Sequence, residues 1–183
     1  RLVGSEMCIR DRSRGVRVTA DVTPHHLLLT DQELVSYDPN FKVDPPLRTP
    51  AHIEVLIEAL KDGTIETISA EHTPLASEKK AREIDQVPFG IAGIETVLPL
   101  CIEALIEPGH LTWLQLIQKL TIGPARLLKQ ESAKTLAPGA VADLTIIDPK
   151  AKYSIDLARW KSLGRNSPFQ GRPATGCVKA TIV

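Results

Sequence analysis

The chain is 183 residues long, 43% hydrophobic and evenly charged, with 22 basic against 22 acidic side chains, a composition that suits one folded unit with a real core and argues against disorder. Zero formal net charge and 4% aromatic content leave no electrostatic footprint for nucleic acid or an acidic membrane surface. Cys8, Cys101 and Cys177 are far apart with no C-x-x-C spacing, which indicates neither a zinc knuckle nor a disulfide framework and makes a reducing cytoplasm the expected compartment.

Residues 1–14 show no periodicity, and RLVGSEMCIRDR resembles a translated sequencing adapter more than folded structure. They are expected to be a non-native or disordered leader, without the apolar core of a signal peptide. No later apolar run approaches the ~20 residues that span a bilayer.

Val16 to Val22 alternates and is rich in β-branched residues, which predicts a strand ending in Thr23-Pro24-His25-His26. Thr49-Pro50 then opens a helix whose Ile53, Leu56, Ile57 and Leu60 share one face, closed by Asp62-Gly63. Thr64 to Ala70 alternates again and delivers Glu71-His72-Thr73-Pro74 at its carboxyl end. Strand, helix, strand is the unit of a parallel α/β fold. The charged Glu78-Lys79-Lys80 stretch is expected to be a solvated loop before Pro88-Phe89-Gly90. Ile94, Val97, Leu98, Cys101 and Leu105 mark the next helix, where Cys101 is expected in the core rather than as a nucleophile. Thr112 and Gln115 suggest a capping box, Gly123-Pro124 breaks the following helix, and Asp143 to Ile147 and Gly176 to Val183 read as strands of a small β appendage.

Four stretches in order, Val22-Thr23-Pro24-His25-His26-Leu27, Phe41 to Arg48, Glu71 to Pro74 and Pro88-Phe89-Gly90-Ile91, resemble the dihydroorotases among the cyclic amidohydrolases. The tail adds Pro138 to Leu144 and Asn166-Ser167-Pro168-Phe169. Hydantoinases and allantoinases share the plan but usually carry tyrosine where His26 stands. The resemblance implies an α/β fold, the C-terminal part of a distorted (β/α)8 barrel over residues 15–133, followed by a β segment over 134–183. It also implies zinc held at the carboxyl ends of the strands, with most of the family's ligands falling before the region of Val16.

The family's last ligand and proton shuttle is an aspartate, and the matching position is Glu71, which the resemblance therefore makes both catalytic and metal-binding. It likewise places Asp44, Leu75, Phe89 and Gly90 at the substrate. Three of these positions depart from the pattern. Glutamate at 71 keeps the charge but adds ~1.5 Å of reach, and a displacement of about 1 Å can cost ~10²-fold in rate. Leu75 stands where the family has histidine and has no hydrogen-bond donor, while Asp44 stands for asparagine and would repel an anion.

The implied activity is zinc-dependent interconversion of dihydroorotate and N-carbamoyl-aspartate in pyrimidine synthesis, with a homodimer or aspartate transcarbamoylase as partner. Two alternatives stay open, a non-catalytic partner of aspartate transcarbamoylase and another cyclic amidohydrolase. Without the resemblance, Glu71-His72 also reads as an ordinary strand-end acid beside a satisfied histidine. His25-His26 reads as a metal pair or as loop packing, the family's ligands favouring packing, and Arg48 as an anion contact or a solvated residue.

Overall fold

A computed structural model describes residues 11, 13–130 and 136–183. Most of the expected leader and the expected boundary at 133/134 lie outside these residues. Strand β1 (Asp21–Val22), helix α1 (Pro50–Lys61) and strand β2 (Thr67–Ile68) form the anticipated unit, with β1 and β2 as parallel neighbours in the register Asp21 to Thr67 and Val22 to Ile68. Both strands are shorter than their alternation predicts. Single bonds extend the ladder, from Glu66 N–H to Ala20 O and from Ser69 N–H to Val22 O. Among the described residues the regular strand begins only at Asp21, although the alternation starts at Val16.

Helix α1 begins with Pro50 at its first position, where the missing N–H is no loss. Its Ile57, Ala59 and Leu60 bury against Ile65, Ile68, Cys101, Leu105, Leu111 and Leu116, one of two hydrophobic clusters. The second joins Leu29, Val43, Leu47, Ile91, Leu100, Ile155, Phe169 and Ala174, and so packs the tail against the loops that follow β1 and β2.

Ser77–Lys80 is one helical turn, α2, not a loop, and Lys80 is buried. Its ammonium reaches the Pro39 carbonyl at 2.8 Å, which replaces the lost water. The predicted helix from Ile94 changes winding: a 3-10 turn at Ile94–Thr96 leads into α3 (Val97–Cys101), and the next five residues, Ile102–Ile106, are π-helical. Pro99 has no N–H to donate back toward Glu95, where the 3-10 turn meets α3.

Helix α4 (Trp113–Leu120) starts with the anticipated capping box of Thr112 and Gln115. Helix α5 (Ile122–Leu127) follows at once. Beyond it, β3 (Leu144–Ser154) and β4 (Pro173–Ile182) pair antiparallel, each starting or ending beyond the residues that alternation marks. Among the described residues no helix is long and apolar enough to cross a membrane.

Candidate functional site

Because β1 and β2 run parallel and adjacent, the loops leaving their carboxyl ends lie side by side. Thr23, His25 and His26 leave β1, and Glu71 leaves β2. The His25 Nε2 stands 3.1 Å from Glu71 Oε2. Together with His26 these side chains offer ligand atoms within 4.8 Å of one another, the one such group of three among the described residues.

The hydrogen bonds fix the tautomers. His26 Nε2 lies 2.8 Å from the Pro45 carbonyl, which can only accept, so this nitrogen carries the hydrogen. Burial, then the neighbouring His25, lowers the His26 pKa, and the ring is neutral at neutral pH. Its Nδ1 must then accept from the Thr23 hydroxyl at 2.6 Å. That hydroxyl, its hydrogen spent, accepts from His25 Nε2 at 3.0 Å. A chain of donors thus runs from His25 through Thr23 and His26 to Pro45.

One consequence falls on Glu71. Its Oε2 is close to His25 Nε2 in distance, yet it is buried with no hydrogen-bond partner, because the single Nε2 hydrogen of His25 points at Thr23. Glu71 itself adopts a left-handed backbone conformation, φ 46°, which costs about 1 kcal/mol in a residue with a Cβ. A strained residue carrying an orphaned buried carboxylate oxygen at a strand end is a place where a cation would be welcome.

The other expected residues surround this loop. Asp44 is exposed and precedes the Pro45 carbonyl that His26 holds. Leu75 is half-buried, and its backbone N–H donates to the Asn166 side chain at 2.8 Å. Phe89 is exposed with the Lys42 ammonium 4.8 Å from its ring centre. Gly90 is buried with φ 129°, and a Cβ there would sit 2.6 Å from Thr73 Cγ2, so only glycine lets the two loops meet. Gly164 plays the same part from the tail: a Cβ would lie 2.6 Å from Pro74 Cβ and 2.8 Å from Leu75 N. Arg48 is exposed, and it joins the fold through its backbone, whose carbonyl accepts from Asp31 N–H. Cys101 is fully buried, its thiol pushed up to about 12 by burial, and it is core as expected.

The contact of His25 with Glu71 is the part that sequence reading missed, since the paired histidines read there as loop packing. Parallel pairing of β1 with β2 holds the signal, because it brings residues at equal distances past the two strand ends together.

The residues present fit a bound metal in part. Glu71 supplies a buried carboxylate oxygen without a competing donor. His25 can add Nε2 only by giving up its bond to Thr23, and His26 has both nitrogens engaged.

Residues 13–183 match the model of the amidohydrolase family. A dihydroorotase of Pelotomaculum thermopropionicum is 48% identical over 98% of this chain and 42% of its own length. One of Shouchella clausii is 45% identical over 96% of this chain and 41% of its own. Among solved structures, an L-hydantoinase (dihydropyrimidinase) from Arthrobacter aurescens superposes with a TM-score of 0.90 at 30% identity, over 98% of this chain and 41% of that one. The chain therefore spans about two fifths of the length of the curated relatives it matches. The α/β architecture is that of the corresponding part of an amidohydrolase (β/α)8 barrel with its β appendage, and the chain belongs to the amidohydrolase family.

Proposed function

We propose that this chain carries the last-strand side of a dihydroorotase active site, with Glu71 as proton shuttle and metal ligand. The observation that carries the proposal is the buried, orphaned Oε2 of Glu71 at the end of β2. The names of the relatives at 48% and 45% identity support the substrate. A cyclic amide resists attack by neutral water, and a bound zinc ion supplies the polarisation that makes a water acidic near neutral pH.

The chain's own residues do the rest. Glu71 takes a proton from the attacking water as its oxygen joins the ring carbonyl carbon, and returns it to the amide nitrogen as the C–N bond breaks. His25 limits where the Glu71 carboxylate can swing. Phe89 and Gly90 border the ring of dihydroorotate or N-carbamoyl-aspartate, with the Phe89 backbone as the contact because Gly90 N–H is held by Lys42 O at 3.0 Å, and Asp44 and Leu75 lie on the substrate side. Residues 15–133 form the barrel part, residues 134–183 the appendage, and pyrimidine synthesis in the cytoplasm is the setting, with a homodimer as the assembly.

A second reading, a non-catalytic partner of aspartate transcarbamoylase, is favoured by Leu75. Its side chain offers no donor, and its backbone N–H is already used by Asn166.

The test is a chimaera in which residues 13–183 replace the matching segment of the Pelotomaculum thermopropionicum relative. Dihydroorotate hydrolysis, lowered ~10²-fold or more by Glu71→Ala, is the expected result. Hydrolysis of hydantoin alone moves the substrate to the other cyclic amides, and turnover of neither favours the partner reading.

A further inference from the structure

Asn166 belongs to the tail, more than ninety residues after Glu71 in sequence, and it is 4% exposed. Its side-chain amide meets two separate loops. Oδ1 accepts from Leu75 N–H at 2.8 Å, while Nδ2 donates to Thr73 O at 2.9 Å and to Gly90 O at 3.2 Å. Its own carbonyl accepts from Ala92 N–H at 2.9 Å. The orientation of the amide is dictated by its partners, because a flipped amide would set Oδ1 against two carbonyl oxygens and Nδ2 against an N–H.

Every one of these contacts is to backbone. The clamp is thus indifferent to which side chains stand at 73, 75 and 90, and it sets where those side chains begin. Thr73 N–H also donates to Ile91 O at 2.7 Å, so the Glu71 and Gly90 loops are joined both directly and through Asn166. Aspartate is nearly isosteric but donates nothing when ionised, which leaves the Thr73 and Gly90 carbonyls facing a carboxylate. It can still accept from Leu75. No other side chain of the tail engages both loops among the hydrogen bonds of the described residues.

We infer that Asn166 is a positioning residue of the candidate site, one that fixes the loop after Glu71 against the Phe89-Gly90 loop through its side-chain amide. The inference rests on the reading of these loops as the active site.

Amide hydrogen exchange of the 183-residue chain tests it without any assay of turnover. In Asn166→Asp, the Thr73 and Ala92 amides, on the two loops that the carboxylate no longer joins, are expected to exchange at least tenfold faster, with Leu60 in α1 within twofold of the unsubstituted chain. Unchanged rates at Thr73 and Ala92 overturn the inference. So does an equal acceleration at Leu60, which would mean that Asn166 serves global stability alone. If the variant does not fold, the Asn166 side-chain NH2 of the unsubstituted chain decides. Protection of at least tenfold over a free asparagine is expected, and exchange at the free rate refutes the clamp. In the chimaera, Asn166→Asp is expected to lower kcat at least tenfold, with a melting temperature close to that of the parent; unchanged kcat also overturns the inference. An inactive parent chimaera would remove the activity reading, while the exchange data would still decide the role of Asn166.

Discussion

The imidazole of His25 and the carboxylate of Glu71 meet at 3.1 Å across the ends of two neighbouring parallel strands, yet the His25 hydrogen goes to Thr23. Thr23 therefore governs both. Thr23→Val keeps the shape and removes the hydroxyl, leaving His26 Nδ1 without its donor and freeing His25 Nε2–H to turn to Glu71. An unsatisfied buried acceptor costs about 1–3 kcal/mol, partly offset here by the new bond. A net loss of about 1 kcal/mol in urea unfolding is expected, with a changed ¹⁵N shift at His25 Nε2. An unchanged His25 shift would show that its hydrogen was never on Thr23.

Lys80 makes the stability of the chain depend on pH in the alkaline range. Its pKa is lowered to about 8, first by burial and then by the nearby Lys42. An unfolded lysine titrates near 10.4. Between these values the unfolded chain binds more protons than the folded one, so this group makes the fold more stable as pH rises from about 8 to about 10.4. Lys80→Met is expected to flatten that rise. Denaturant midpoints of both chains at pH 7.5, 9 and 10 measure it, and parallel curves would refute it.

Cysteine labelling separates two thiols by place. Cys101 has no exposed surface and a pKa of about 12, whereas Cys177 is partly exposed. Thiolate, not thiol, is the reactive form. Iodoacetamide at pH 8 should modify Cys177 within minutes and leave Cys101 intact until urea is added, as read by peptide mass mapping. Early labelling of Cys101 would show that the cluster around α1 opens on that timescale.

Thr112 caps α4 through a bond from Gln115 N–H at 3.3 Å, and the Gln115 side chain returns to Thr112 N–H at 2.8 Å. Thr112→Ala is expected to cost about 1 kcal/mol, seen as a lower urea midpoint with an unchanged slope. Thr112→Ser should recover most of it.

Signals that depend on neighbours in sequence were readable. The capping box, the proline start of α1, the burial of Cys101 and the delivery of Glu71 by a strand all follow from local spacing. Features set by partners far along the chain were not. Val16 to Ala20 alternates like a strand, yet among the described residues the regular strand starts only at Asp21, where β2 lies alongside. Lys80 sits in a run of charges that reads as solvated, and only the Pro39 carbonyl, brought close by the fold, makes its burial tolerable. The meeting of His25 and Glu71 lies between these cases. It was implicit in the strand, helix, strand unit, and it needed the register of β1 with β2 to be seen.

Gly164 leaves no space for a methyl group beside Pro74 and Leu75. A ribosome makes the chain from its amino end, so the residues around Glu71 emerge long before the surface that shapes them. For the time needed to synthesise some ninety further residues, the Glu71 loop has its contacts to His25 and the Gly90 loop but not those of Gly164 and Asn166. Its full set of contacts exists only once the tail is in place, so the candidate site cannot be complete before the last part of the chain has been made.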